Sequence, residues 1–192
     1  MESESKRSAE KERSMNDTSL KRMLAAMVFA IFAAPLVAAT ADAGSSLRIH
    51  ATVADNAITA LEWTCDPSTG LPYVGDAACI GIETTTGTFS GDIEGTYLAE
   101  IDFAVLADGE APFTSFETIT GTVAGHGSGS FTVLEVDTIS PSGELTGRWR
   151  VIERSGTGDL VGITGKGKVA GTYDATTGLA SGQFTGVLHF SK

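Results

Sequence analysis

The sequence predicts an all-β protein: a small antiparallel closed barrel of about eight strands, preceded by a signal peptide. Three observations carry this. Apolar and polar residues alternate with period two in run after run beyond residue 44. Turn-forming clusters separate the runs at short intervals. Glycine is abundant, at 23 residues against 5 prolines, and many glycines fall inside the alternating runs.

In chain order, the first run is Arg48 to Val53, with Ile49, Ala51 and Val53 on one face. Phe89, Gly91 and Ile93 alternate with Ser90, Asp92 and Glu94, and read as one strand. Tyr97, Ala99, Ile101, Phe103 and Val105 share a face opposite Glu100 and Asp102. Leu145, Gly147, Trp149 and Val151 oppose Thr146, Arg148 and Arg150. Two more runs follow, Val161 to Val169 and Gln183 to Phe190. Each pattern gives one buried and one wet face, as antiparallel sheets allow. Ala107-Asp108-Gly109, Ser140-Pro141-Ser142-Gly143, Ser155-Gly156-Thr157-Gly158 and Thr176-Thr177-Gly178 are the turns between them. Short connections favour a meander. Strand glycines such as Gly121, Gly147, Gly165, Gly167 and Gly186 suit the bends of a closed barrel. A two-sheet sandwich is the alternative. Phe131 to Asp137 breaks the parity, since Phe131 and Val133 oppose Leu134 and Val136; a bulge near Val133 would restore it.

Residues 1–43 read as a charged extension and cleavable leader. Lys21 and Arg22 precede an apolar run from Met23 to Ala39, and Ala41-Asp42-Ala43 offers a cleavage site with Gly44 as first mature residue. Met15 is an alternative start. Cleavage leaves no stable membrane insertion and places the product in the periplasm or outside the cell. Cys65 and Cys79, the two cysteines, read as a disulfide in such a compartment. The expected organisation is a leader at 1–43, an N-terminal segment with the disulfide loop at 44–85, and a glycine-rich barrel core at 86–192.

The net charge is −11, and residues 1–43 carry six basic and six acidic side chains, so the mature part keeps the same charge. Such a surface repels phosphate backbones, which argues against nucleic acid, and against anionic membranes.

Familiar chemistries fail one by one. Gly162 to Lys168 approaches a phosphate-binding loop, but Val169 stands where a hydroxyl should meet Mg²⁺, and no helix follows. Gly125-His126-Gly127-Ser128-Gly129 is not a nucleophile elbow and reads as a turn or glycine-rich strand. His50, His126 and His189 lack metal-ligand spacing, so no metal and no cofactor is expected. Asp92/Glu94 and Glu100/Asp102 read as wet strand faces. No catalytic residue is identified. The aromatics Phe89, Tyr97, Phe103, Trp149, Phe184 and Phe190 all take the apolar parity. They fill a core, or some of them, with Tyr97, Phe103, Trp149 and Phe184 as the candidates, line a pocket for a small hydrophobic ligand.

Gly156 to Gly167 resembles a recurrent signature of small barrels of the allene oxide cyclase-like group, and within that group a bacterial family of unknown function. Gly147 to Ile152 and Gly121 to Phe131 resemble the same family, and dirigent proteins share the glycine-rich turn. The likeness spans about residues 86 to 190 and is strongest from 121 to 173, leaving the cysteine-bearing segment as an addition. It implies an eight-stranded barrel with a central cavity. It implies no activity, because the plant cyclases' catalytic pattern maps onto no position here. The sequence therefore points first to an exported, non-catalytic barrel. The alternatives are a cyclase or isomerase acting on a hydrophobic substrate, and an acidic surface protein that binds another protein.

Overall fold

Alternation becomes pleat in the computed structural model, which describes residues 44–65 and 77–191. Eight strands form: β1 (Ser45–Cys65), β2 (Ala77–Gly91), β3 (Ile93–Leu106), β4 (Ala111–Val123), β5 (Gly127–Ile139), β6 (Glu144–Val151), β7 (Ile163–Asp174) and β8 (Leu179–Phe190). They pair in sequence order, all antiparallel, and β8 returns to β1 to close the barrel. The leader expected at 1–43 lies outside the described residues.

The boundary expected at 85/86 falls inside β2, and β1 is paired on both sides, to β2 and β8. The cysteine-bearing segment is thus two staves of the barrel and not an addition to it. Cys65 and Cys79 face one another across β1 and β2, with Cα atoms 4.1 Å apart, and are joined by a disulfide. Phe89 to Glu94 is not one strand either. Gly91, at φ +115°, reverses the chain between β2 and β3, and Asp92 accepts a hydrogen bond from the His50 amide at 2.8 Å. A residue with a Cβ rarely adopts that φ, so the glycine that looked like a strand position marks a turn.

β5 brings the larger correction. Its register with β4 and β6 runs without a shift, so no bulge occurs at Val133. Phe131, Val133, Glu135 and Asp137 all point inward, while Val136 is 59% exposed. The parity is regular, but its inner face changes from apolar to acidic halfway along.

The two halves of the barrel interior differ. The half toward the β2–β3, β4–β5 and β6–β7 connections is packed with apolar side chains, among them Ile93, Ile119, Phe131, Ile163 and Leu188. Trp149 is 2% exposed and stacks on Phe184, with ring centroids 4.3 Å apart. Its Nε1 donates to the Lys168 carbonyl at 3.3 Å. Gly167 and Gly186 lie against the indole, where an added Cβ would come within 2.5 Å of the ring. The absent side chains of these two glycines make the space that the tryptophan fills. Arg148 and Arg150 face solvent.

This arrangement makes Trp149→Ala costly, by about 3–5 kcal/mol, through the cavity it leaves between Phe184 and the two glycines. Arg148→Ala stays within about 0.5 kcal/mol. Urea denaturation of the two variants checks both values. A larger loss for Arg148→Ala would contradict the inward placement of Trp149.

Candidate functional site

Above the Trp149–Phe184 stack the barrel opens into a cavity of about 550 Å³. It lies toward the β3–β4, β5–β6 and β7–β8 turns, which contribute Gly109, Pro141 and Thr177 to its rim. Its wall is apolar near the mouth, with Val105, Phe113, Ile139, Leu61 and Trp63. Its depth is polar. Asp55, Glu83, Thr85, Tyr97, Ser115, Glu117, Glu135 and Asp137 all line it, from β1 through β5.

Of the four aromatics expected to line a pocket, Tyr97 and Phe103 do so. Trp149 and Phe184 do not line it; they belong to the packed aromatic layer of the core. Phe184 meets Phe89 edge-on at 5.1 Å, and Phe89 meets Tyr97 edge-on at 5.6 Å. Tyr97 is therefore the step from the apolar core to the polar cavity. Its hydroxyl donates to Asp55 Oδ1, whose other oxygen accepts from the Ala180 amide at 2.6 Å. This ties β3, β1 and β8 together across the interior. Glu83 similarly accepts from the Thr85 hydroxyl.

Glu117, Glu135 and Asp137 are different. They are 4%, 7% and 3% exposed. Glu117 Oε1, Glu135 Oε1 and both Asp137 carboxyl oxygens lack a hydrogen-bond partner. Asp137 sits where a side chain on Gly147, its partner on β6, would collide with it. Ionised carboxylates only accept, so these three can bond to one another only by holding protons. Burial accordingly pushes Glu117 up to about 8, an effect that a hydrogen bond with Glu135 moderates and the charges of Asp55 and Asp137 reinforce. Burial, then the neighbouring charges of Glu117 and Asp137, raises Glu135 well above the ordinary carboxylate range. Burial lifts Asp137 to about 6, an effect that the nearby Glu135 carboxyl and Arg148 amide partly offset without either meeting its oxygens in hydrogen-bond geometry. Burial also raises Asp55 and Glu83, and it raises the Tyr97 phenol, with Asp55 adding to the effect.

Reading the apolar parity alone missed these acids. The signal that finds them is continuity. Ile119 and Val123 fix the inner face of β4, and counting back by twos reaches Glu117 and Ser115. Phe131 and Val133 do the same for Glu135 and Asp137.

The other sequence candidates take quieter places. His126 stacks on Phe190 with ring centroids 3.6 Å apart, and Ser128 Oγ pairs with the Thr122 hydroxyl at 3.1 Å, so the two form no dyad. Glu94, Glu100 and Asp102 face solvent. Among the described residues no group of three or more His, Cys, Asp or Glu side chains is placed to hold a metal ion.

A family model described as "Protein of unknown function (DUF3224)" matches residues 63–179. A crystal structure of a protein with unknown function from that family, from Shewanella oneidensis MR-1, is similar with a TM-score of 0.51. It is 20% identical, over 77% of this chain and 99% of that one, which speaks for the fold alone. No curated protein matches.

The buried acids set a pH dependence. Their folded-state values lie above their unfolded ones, so the folded protein binds more protons between about pH 4 and 8, and stability falls as pH rises through that window. It is fully present below it. The unliganded protein is therefore more stable at pH 5 than at pH 8. Glu135→Gln flattens the difference, because the amide has no charge to desolvate. Urea midpoints at the two pH values measure this. An unchanged slope in the variant would contradict it.

Proposed function

The chain belongs to the DUF3224 family, whose function is unknown, and we propose that it is an exported, non-catalytic barrel that holds a small hydrophobic ligand in its open end. The observation that carries this reading is the cavity itself. A barrel of this size can fill its interior with side chains, as the Trp149–Phe184 half does, or leave room for one small molecule. Here about 550 Å³ remains, walled by Val105, Phe103, Phe113 and Ile139. That is the size range of small-molecule sites. Apolar surface left open to water at the end of a closed barrel is favourable to cover.

Export is supported by the Cys65–Cys79 disulfide, which suits an oxidising compartment. It is supported too by the position of β1, whose first residue, Ser45, directly follows the proposed mature N-terminus, Gly44. The likeness of residues 121–173 to allene oxide cyclase-like barrels belongs to the same reading; the eight-stranded antiparallel closure supports it.

A second reading, a cyclase or isomerase, is favoured by one specific observation. Glu117 and Glu135 are acids whose burial favours the protonated form in the depth of the cavity, as a general acid would need. A carrier returns its ligand unchanged, whereas an enzyme alters it.

Native mass spectrometry of protein purified from its own source is expected to show a small organic adduct that denaturation releases. Ala99→Phe, which places a ring into the cavity from its β3 wall, is expected to lose the adduct while keeping the β-sheet circular dichroism. A native protein without any adduct, and without uptake from a panel of apolar compounds, would contradict the proposal. Chemical conversion of a bound compound would favour the enzyme.

A further inference from the structure

We infer that the ligand is a cation: a small hydrophobic molecule with a protonated amine, whose ammonium sits among the carboxyls of Glu117, Glu135 and Asp137. Its apolar body would lie toward the mouth, against Phe103, Val105 and Phe113. This inference rests on the carrier reading above and gives its ligand a chemical class.

The first argument is the missing countercharge. The three carboxyls are at least nine-tenths buried, line the cavity, and present oxygens that lack a hydrogen-bond partner among the described residues. The cavity lining among the described residues contains no Lys, Arg or His. The basic residues of the adjoining strands β6 and β7, Arg148, Arg150, Lys166 and Lys168, all point outward. The Tyr97 hydroxyl is already given to Asp55, and the Ser115 hydroxyl, opposite Glu135 in the β4–β5 register, brings no charge. A countercharge for this site must therefore arrive with a ligand.

The second argument is the kind of donor. An ammonium brings several N–H groups and a positive charge to a desolvated site, where charge-assisted hydrogen bonds are strong. An alcohol brings one neutral donor. A carboxylate or phosphate would meet like charge. A bare metal ion would leave the apolar wall uncovered, and the acids are not spaced to hold one. The division of the cavity into acidic depth and apolar mouth matches a molecule with one cationic end.

The third argument is protonation. The titratable groups that face this site are Asp55 on β1, Glu83 on β2, Tyr97 on β3, Glu117 on β4, Glu135 and Asp137 on β5, and Tyr173 on β7. β6 and β8 contribute none. All are acids or phenols, so among the described residues nothing holds Glu117 and Glu135 ionised at neutral pH. An arriving ammonium does, and its binding displaces protons to the buffer.

The test is isothermal titration calorimetry of the exported protein, disulfide intact, with decylamine, decanol and decanoate as probes. Decylamine is expected to bind at least about tenfold more tightly than decanol at pH 8. Its affinity is expected to rise from pH 5 to pH 8, with proton release read from buffers of different ionisation enthalpy. Decanoate is expected to be the weakest. Glu135→Gln and, separately, Glu117→Gln should shrink the amine's advantage over decanol and the proton release. The comparison of head groups on the unaltered protein stands even if a variant fails to fold. Equal binding of amine and alcohol, or tightest binding of decanoate, would overturn the cation and leave the carrier reading intact. Binding of none of the three would overturn both.

Discussion

The hydrogen-bonded seam between β1 and β8 is the constraint from which the rest follows. It pairs Ser45 with Phe190 and continues to Ala54 with Ser181. With that seam formed the barrel closes, and the inward-facing residues of its strands must share one interior. A strand cannot withdraw an awkward side chain without shifting its register, and a one-residue shift would expose its whole inner face. Register shifts are confined to β1 and the start of β2. The strands that carry the acids, β4 and β5, run regularly. Glu117, Glu135 and Asp137 are inside because Ile119, Val123, Phe131 and Val133 are.

That placement opposes folding. Removing three carboxylates from water without a countercharge is costly, and the protein answers by holding their protons more tightly, most of all at Glu117 and Glu135. Hydrophobic residues of similar volume would stabilise such positions better. The apolar half of the same barrel shows that the fold can fill its interior: Trp149 occupies the room left by Gly167 and Gly186, and Phe184, Phe89 and Tyr97 continue the layer. An interior filled with rings on one side and left open and acidic on the other is the arrangement expected of a site, where local stability is given up for binding.

The barrel was legible in the sequence because its evidence is repeated. Alternation at Ile49, Tyr97, Trp149 and Phe184 gave the inner faces, and Ala107-Asp108-Gly109 and Ser140 to Gly143 gave the turns between strands. Where a single residue decides, the reading failed. Gly91 looked like a strand residue and is a reversal, since φ is not written in the pattern. The staves β1 and β2 were harder to see because their inner faces carry Asp55, Glu83 and Thr85 in place of large apolar groups. The site was almost illegible for the same reason. A rule that puts apolar residues inside must misplace β5 beyond Val133, where Leu134 and Val136 are the more apolar side and the acids are the buried one. Tyr97 and Phe103 were found as cavity aromatics; Trp149 and Phe184 share their parity but lie one layer deeper, and depth along the barrel axis needs the register between strands.

The central claim is that Glu117 and Glu135 hold protons near neutral pH for want of a cation. Carbon-detected NMR titration of the side-chain carboxyls of Glu117, Glu135 and Asp137 in the unliganded protein tests it most directly. The account predicts midpoints above the ordinary glutamate value of about 4.3, with Glu117 near the value of about 8 that its burial sets. Midpoints for all three within the ordinary carboxylate range would mean that water or a basic partner already satisfies them, and would contradict it.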